Sequence, residues 1–385
     1  MFLTLVATLG GLLFGYDTAV ISGTVKYLGI NFVDPLGLEE TAASSLLGFA
    51  VSSALIGCIL GGLAGGYMAN RFGRKRSLMI AALLFIISAV GSAYPETGFG
   101  TGEIHRFLTQ FIVYRIIGGV GVGMASVLSP MYIAEMAPAA RRGGLVAWNQ
   151  FAIIFGMLVV YFVNYSIALS GDEAWLTTTG WRLMFLSETI PAALLLILVT
   201  LVPESPRWLI MRGCESKAIG VLERINGKEG TLAEADAIRA SFGQTVRSKL
   251  FSYGVTVIMV GILLSVFQQF IGINVVLYYA PEIFRNMGMG TNAALLQTII
   301  VGIINLSFTV LAIFTVDRFG RKPLMIIGSI GMAVSMFTLG MTFYTQGMGV
   351  AALLAMLCYV ASFAMSWGPI CRVLLSEIFP NSIRS

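Results

Sequence analysis

Ten stretches of the chain stay apolar for about 20 residues or more, the length a helix needs to cross the hydrocarbon of a bilayer. They run at about 1–28, 44–69, 77–94, 108–136, 145–168, 182–202, 251–282, 292–316, 323–345 and 350–377. Inside a membrane no water can pair backbone N–H and C=O groups, so runs of this length must satisfy them internally as helices. A composition of 57% hydrophobic and 11% charged residues agrees with lipid as the solvent. The expected fold class is an all-α polytopic membrane protein. The first run passes through Phe14, Tyr16 and Asp17 without a cleavage-like site and reads as a span rather than a signal peptide.

Charge then fixes orientation. The net charge of +5 is not a polyanion-binding signal, because 18 of the 24 Lys and Arg fall on one side: in 70–76, 137–144, 203–250, 318–322 and the tail. Lys26, Arg106, Arg182 and Arg285 fall on the other, and Arg115 and Arg372 lie within spans. The positive-inside rule places the basic loops and both chain ends in the cytoplasm. Cys58, Cys214, Cys358 and Cys371 are scattered, without a CxxC or a His partner, so neither a disulfide framework nor a metal site is expected. His105 reads as a solvated residue of a short outside loop. No Walker A loop, GxSxG elbow or HExxH is present, and no cofactor or enzymatic chemistry is expected.

The chain repeats itself. Arg-Phe-Gly-Arg-Lys stands at 71–75 and at 318–322, each time between the second and third spans of a group. Glu135, Pro138 and Arg142 recur as Glu377, Pro380 and Arg384 at nearly the same offset. A six-span unit used twice gives domains at 1–202 and 251–385, joined by an amphipathic, charged linker at 203–250. The second unit reads only four spans; a full copy needs about 60 more residues, so ten of twelve helices are expected here and two more past Ser385.

The hairpin cations Arg74 and Arg321, with Arg142, have Glu135 and Glu377 as natural partners. Such a cluster can hold one conformation closed and release it in another. Plain positive-inside anchoring would also place Lys and Arg there. Asn70 precedes the first hairpin and Asp317 the second, so the two need not be equal. Within spans the ionisable residues are Asp17, Arg115, Glu188 and Arg372. A charge in hydrocarbon costs about 2.5 kcal/mol or more, so each needs a cavity or a partner. Asp17 and Arg115 form the obvious pair, either a proton-coupling switch or a static ion pair. The seventh span carries Gln268, Gln269, Gly272, Asn274, Tyr278, Tyr279 and Pro281. Its amides suit neutral polyol hydroxyls, and its Gly and Pro permit local unwinding. Gln150 and Asn305 add to this set, while Phe14 and Trp367 offer aromatic faces to a sugar ring. Any one amide could equally be interhelical glue.

These residues carry a resemblance. Gly-Gly-Leu-Leu-Phe-Gly-Tyr-Asp-Thr-Ala-Val-Ile-Ser-Gly at 10–23, both Arg-Phe-Gly-Arg-Lys hairpins, Pro-Glu-Ser-Pro-Arg-Trp at 203–208, Gln-Gln-Phe-Ile-Gly-Ile-Asn at 268–274 and Leu-Leu-Ser-Glu-Ile-Phe-Pro at 374–380 resemble the sugar porter family of the major facilitator superfamily, and within it the bacterial D-xylose:proton symporters. The resemblance implies two six-helix bundles in the inner (plasma) membrane and a monomer whose partners are a monosaccharide, a proton and the lipid bilayer. It implies hydroxyl binding by Gln150, Gln268, Gln269, Asn274 and Asn305, with Phe14 and Tyr278 lining the pocket. Asp17 matches the symporters' proton acceptor, with Arg115 and Glu188 as its coupling partners, which favours symport over a facilitative carrier; a non-transporting sugar sensor is the other alternative. Two positions depart from the family: Met157 replaces a Gln of the xylose carriers, and Arg372 replaces a Trp that packs on the sugar. The expectation is weak D-xylose binding or none, with some binding restored by Arg372→Trp; the alternative is that Arg372 snorkels or meets a carboxylate and leaves the pocket intact.

Overall fold

The structure is a computed structural model that describes residues 2–97, 104–138, 142–243, 255–345 and 350–378. Tertiary contacts divide the chain into two compact units, Met1–Arg239 and Ala240–Ser385. Every regular element among the described residues is helical, and ten helices are long and apolar enough to cross a membrane. Each falls on one of the ten expected spans.

The first unit runs α1 Phe2–Val20, α2 Val25–Leu28, α3 Glu40–Phe72, α4 Arg74–Ala93, α5 Ile104–Met136, α6 Arg142–Ala168, α7 Glu173–Trp175, α8 Trp181–Leu186, α9 Thr189–Leu201, α10 Pro206–Met211 and α11 Glu215–Gly243. Residue 105 lies in the first turn of α5, not in a loop. The apolar run understates this helix, because a helical ladder once nucleated extends into water at low cost. The α10 helix and α11 as far as Arg239 pack with the first unit. At Gly227 (φ 75°) α11 turns sharply, and Arg239 reaches Glu215 at 3.0 Å and Asp236 at 2.7 Å.

Apolar side chains gain nothing by meeting each other rather than lipid, so spans associate through close packing. The seam between α3 and α5 is built on this. A Cβ on Gly57 would stand 2.0 Å from Ile116 O, one on Gly61 2.1 Å from Val120 O, and one on Gly119 1.9 Å from Ala54 O. The two backbones touch along more than a turn. The α1 helix packs against α5 and α6, and α4 against α5, α8 and α9. Together they bury Leu13, Phe85, Leu128, Tyr132 and Leu195 in one core.

The second unit runs α12 Val255–Phe270, α13 Ile273–Tyr278, α14 Ala280–Asn286, α15 Thr291–Phe319, α16 Arg321–Tyr344, α17 Val350–Met365 and α18 Trp367–Ile378. Here α17 packs against α15, α16 and α18, and α12 against α18. The sequence repeat becomes a geometric one at the two hairpins. Gly73 separates α3 from α4 at φ 91°, ψ 168°, and Gly320 separates α15 from α16 at φ 83°, ψ 160°. L-residues avoid that backbone region, and glycine reverses the chain there at least cost.

Candidate functional site

In the first unit, α1 and α5 bring Asp17 and Arg115 together. Arg115 Nη1 donates to Asp17 Oδ1 at 2.7 Å and Nη2 to the Asp17 carbonyl at 3.4 Å. Both residues are buried, at 1% and 2% exposure, so the pair is fully desolvated. Gly118, three residues on from Arg115, makes the space: a Cβ there would lie 3.3 Å from Asp17 Oδ1 and 2.2 Å from Ser88 Oγ. The Arg115 guanidinium also stands 5.7 Å from the centre of the Phe185 ring on α8.

Glu188 joins this pair through a break in the sixth span. Pro191 has no N–H to give the Ser187 carbonyl, so the ladder fails there. That carbonyl accepts from Ile190 N instead, three residues on, and Glu188 N bonds the Phe185 carbonyl in the same tighter pattern. Glu188 therefore sits in the turn between α8 and α9, fully buried and within electrostatic reach of both Asp17 and Arg115. Two carboxylates thus face one guanidinium in a dry interior. Phe14 and Gln150, on α1 and α6, are half-buried, Phe14 against the unit's core. Met157 is buried on α6.

At the other end of the first unit, Arg74 and Glu135 pair at 2.7 Å while both are largely buried. Arg74 Nη1 also donates to the Ala69 carbonyl at 3.0 Å, satisfying a C-terminal carbonyl of α3. The segment after the sixth span closes the cluster. Glu204 Oε1 accepts from the backbone N–H of Arg74 at 2.8 Å and of Lys75 at 3.1 Å, capping the free N-terminal donors of α4 with a negative charge. Ser205 Oγ donates to Glu135 Oε2, and Tyr132 Oη donates to the Pro203 carbonyl at 2.6 Å. Trp208 and Arg212 donate to two further C-terminal carbonyls of α3, those of Asn70 and Arg71. Sequence reasoning assigned no role to Glu204, Ser205, Trp208 or Arg212. The available signal was Ser-Pro-Arg-Trp, an N-cap serine followed by a helix-starting proline.

In the second unit the seventh span breaks where its glycine stands. Gly272 takes φ 82° between α12 and α13, and the Ile271 carbonyl freed there accepts from Tyr359 Oη on α17 at 2.7 Å. The amides flank the break. Gln268 Nε2 donates to the Trp367 carbonyl at 3.2 Å, and Asn274 Nδ2 donates to Gln269 Oε1 at 3.3 Å. Trp367 is held by its Nε1, which donates to Ser329 Oγ at 2.8 Å. Asn305 is buried on α15 and Tyr278 at the end of α13. Arg321 is half-buried at the start of α16. The side chains of Arg142, Asp317, Arg372 and Glu377 lie outside the described residues.

The first unit thus holds two buried carboxylates beside one guanidinium, and the second a helix break flanked by Gln268, Gln269 and Asn274. The family profile described as "Sugar (and other) transporter" matches residues 3–385. The D-xylose-proton symporter of Escherichia coli strain K12 is 63% identical over 392 residues, covering 99% of this chain and 80% of that protein. The glucose facilitated diffusion protein of Zymomonas mobilis is 42% identical over 385 residues, covering 99% of this chain and 81% of that protein. A solved structure of the xylose transporter XylE from E. coli, partially occluded and inward open, gives a TM-score of 0.90 at 61% identity and covers 98% of this chain and 87% of that one. The chain belongs to the sugar transporter family and has the major facilitator fold.

Proposed function

We propose that the chain carries D-xylose into the cell together with a proton, by alternating access across the inner membrane. The observation that carries this reading is the buried Asp17–Arg115 pair with Glu188 beside it. Two carboxylates and one guanidinium are neutral only when they hold one proton, and a net charge is expensive in a dry site. A sugar-linked rearrangement that parts Arg115 from Asp17 changes which carboxylate keeps that proton. The 63% identity to a D-xylose-proton symporter supports the same substrate and coupling ion.

In this reading Gln150, Gln268, Gln269, Asn274 and Asn305 bind the sugar's hydroxyls, with Phe14 and Tyr278 against its ring. The Arg74–Glu135 pair, beside the Glu204 cap on the start of α4, is a lock that opens during transport. The chain works as a monomer with the hairpins on the cytoplasmic side.

Concentrative uptake separates symport from facilitated diffusion. A charge moving through 100 mV yields about 2.3 kcal/mol, enough for roughly fifty-fold accumulation of one sugar per proton. Energised vesicles holding the chain are expected to accumulate labelled D-xylose well above the external level and to lose the excess on addition of a protonophore. Asp17→Asn is expected to abolish xylose-driven alkalinisation of the medium while leaving xylose exchange measurable. Equilibration of wild type to a ratio of one, or unchanged alkalinisation in Asp17→Asn, refutes the reading.

A further inference from the structure

The residues beside the two carboxylates in the chain are themselves joined. Tyr16 precedes Asp17, Ser187 precedes Glu188, and Tyr16 Oη lies 2.8 Å from Ser187 Oγ. The direction of that bond follows from counting hydrogens. A serine hydroxyl has one hydrogen, and that of Ser187 is engaged with the Met184 carbonyl at 2.6 Å. Tyr16 is therefore the donor, and the order runs Tyr16 O–H to Ser187 Oγ to Met184 C=O. Tyr16 is 3% exposed, so the bond has no competition from water.

Its placement matters because the helical ladder of the sixth span is interrupted beside Glu188. The ladder is broken on its C-terminal side by Pro191, with Ile190 N reaching the Ser187 carbonyl only at 3.3 Å. The Glu188 carboxylate is buried against that of Asp17, close enough for the two to share a hydrogen bond. The backbone bonds at this turn run within the sixth span itself, so what joins it to α1 is side-chain contact. Consecutive residues of α1 point about 100° apart, so Asp17 reaches Arg115 on α5 while Tyr16 reaches across to the turn. The charged and titratable groups around the two carboxylates are Arg115 from α5 and Cys58 from α3, with Tyr16 itself.

We propose that the Tyr16–Ser187 hydrogen bond is the positioning device of proton coupling: it ties the sixth-span turn to α1 and so sets the separation of the Glu188 and Asp17 carboxylates. Tyr16 and Ser187 are positioning residues that neither bind sugar nor carry the proton. The inference rests on the symport reading. Without the bond the turn drifts, the two carboxylates cease to sense each other, and sugar moves without its proton.

The test uses the whole chain in proteoliposomes and measures xylose counterflow, xylose accumulation under an imposed proton gradient, and protons taken up per xylose. Tyr16→Phe and Ser187→Ala are each expected to lower accumulation and the proton-to-sugar ratio by at least about threefold, a loss of coupling between two sites. Counterflow is expected to keep its KM within about twofold. Ser187→Thr, which keeps an acceptor hydroxyl, is expected to restore coupling, and Tyr16→Phe with Ser187→Ala to be no worse than either alone. Unchanged coupling in either single variant overturns the proposal, as does a parallel fall in counterflow and accumulation, which marks a packing role only. If one variant fails to insert, the other carries the same decision. Asp17→Asn separates the two levels. Persistent proton uptake in that variant refutes the symport reading, whereas its loss beside intact coupling in Tyr16→Phe refutes the positioning role alone.

Discussion

Asp17 and Arg115 are ionisable groups that water cannot reach, and each is tolerated in the first unit because the other is 2.7 Å away. Deleting one partner of a buried pair strands the other and costs about 3–5 kcal/mol, while replacing both by neutral groups of similar shape costs far less. Arg115→Met is therefore expected to lower the detergent melting temperature of the chain sharply, and Arg115→Met with Asp17→Asn to recover most of the loss. Additive losses in the double variant would show that the pair is not coupled. The pair was legible in the sequence because ionisable residues in apolar runs are few and each demands a partner. Glu204 was not, since it stands in a segment with many charges at 203–250, and nothing in its spacing reveals that it caps a helix start about 130 residues earlier in the chain.

At the scale of the helix, the glycines of α3 divide by what faces them. A Cβ on Gly57 meets backbone at 2.0 Å, and backbone cannot swing aside as a side-chain tip can. One on Gly62 meets nothing within 4 Å. Gly57→Ala is expected to push α3 from α5 at a cost of about 1–3 kcal/mol. Gly62→Ala is expected to stay within about 0.5 kcal/mol of the parent. Thermal unfolding of both in one detergent checks this, and equal midpoints would mean the seam is looser than its geometry. The broken spans follow from Pro and Gly: Pro191 explains the turn that places Glu188, and Gly272 the break that places Gln268, Gln269 and Asn274. The sequence signalled the second break directly. It did not signal that Tyr359 would take up the freed Ile271 carbonyl, because that partner lies 88 residues away on another helix.

Across the whole molecule the sixth span separates two segments of opposite address. The exposed turn at Ala174 precedes it, and the exposed start of α11 at Lys217 follows it. The positive-inside rule puts Lys217 in the cytoplasm and Ala174 outside. In a background without Cys58, Cys214, Cys358 and Cys371, a membrane-impermeant maleimide is expected to label Lys217→Cys only in inside-out vesicles and Ala174→Cys only in right-side-out ones. The reverse pattern would overturn the orientation. By itself the sequence determined the ten spans, the repeated hairpins with their glycines, and which buried groups need partners. Each of these follows from a local rule: hydrocarbon penalises unpaired polar groups and charge, and positive φ selects glycine. Only the tertiary structure decided who meets whom: Glu204 on the start of α4, Glu188 beside Asp17, and Tyr16 on Ser187. Such pairings depend on helix rotation and on where a broken span bends, set by the packing of side chains far apart in the chain.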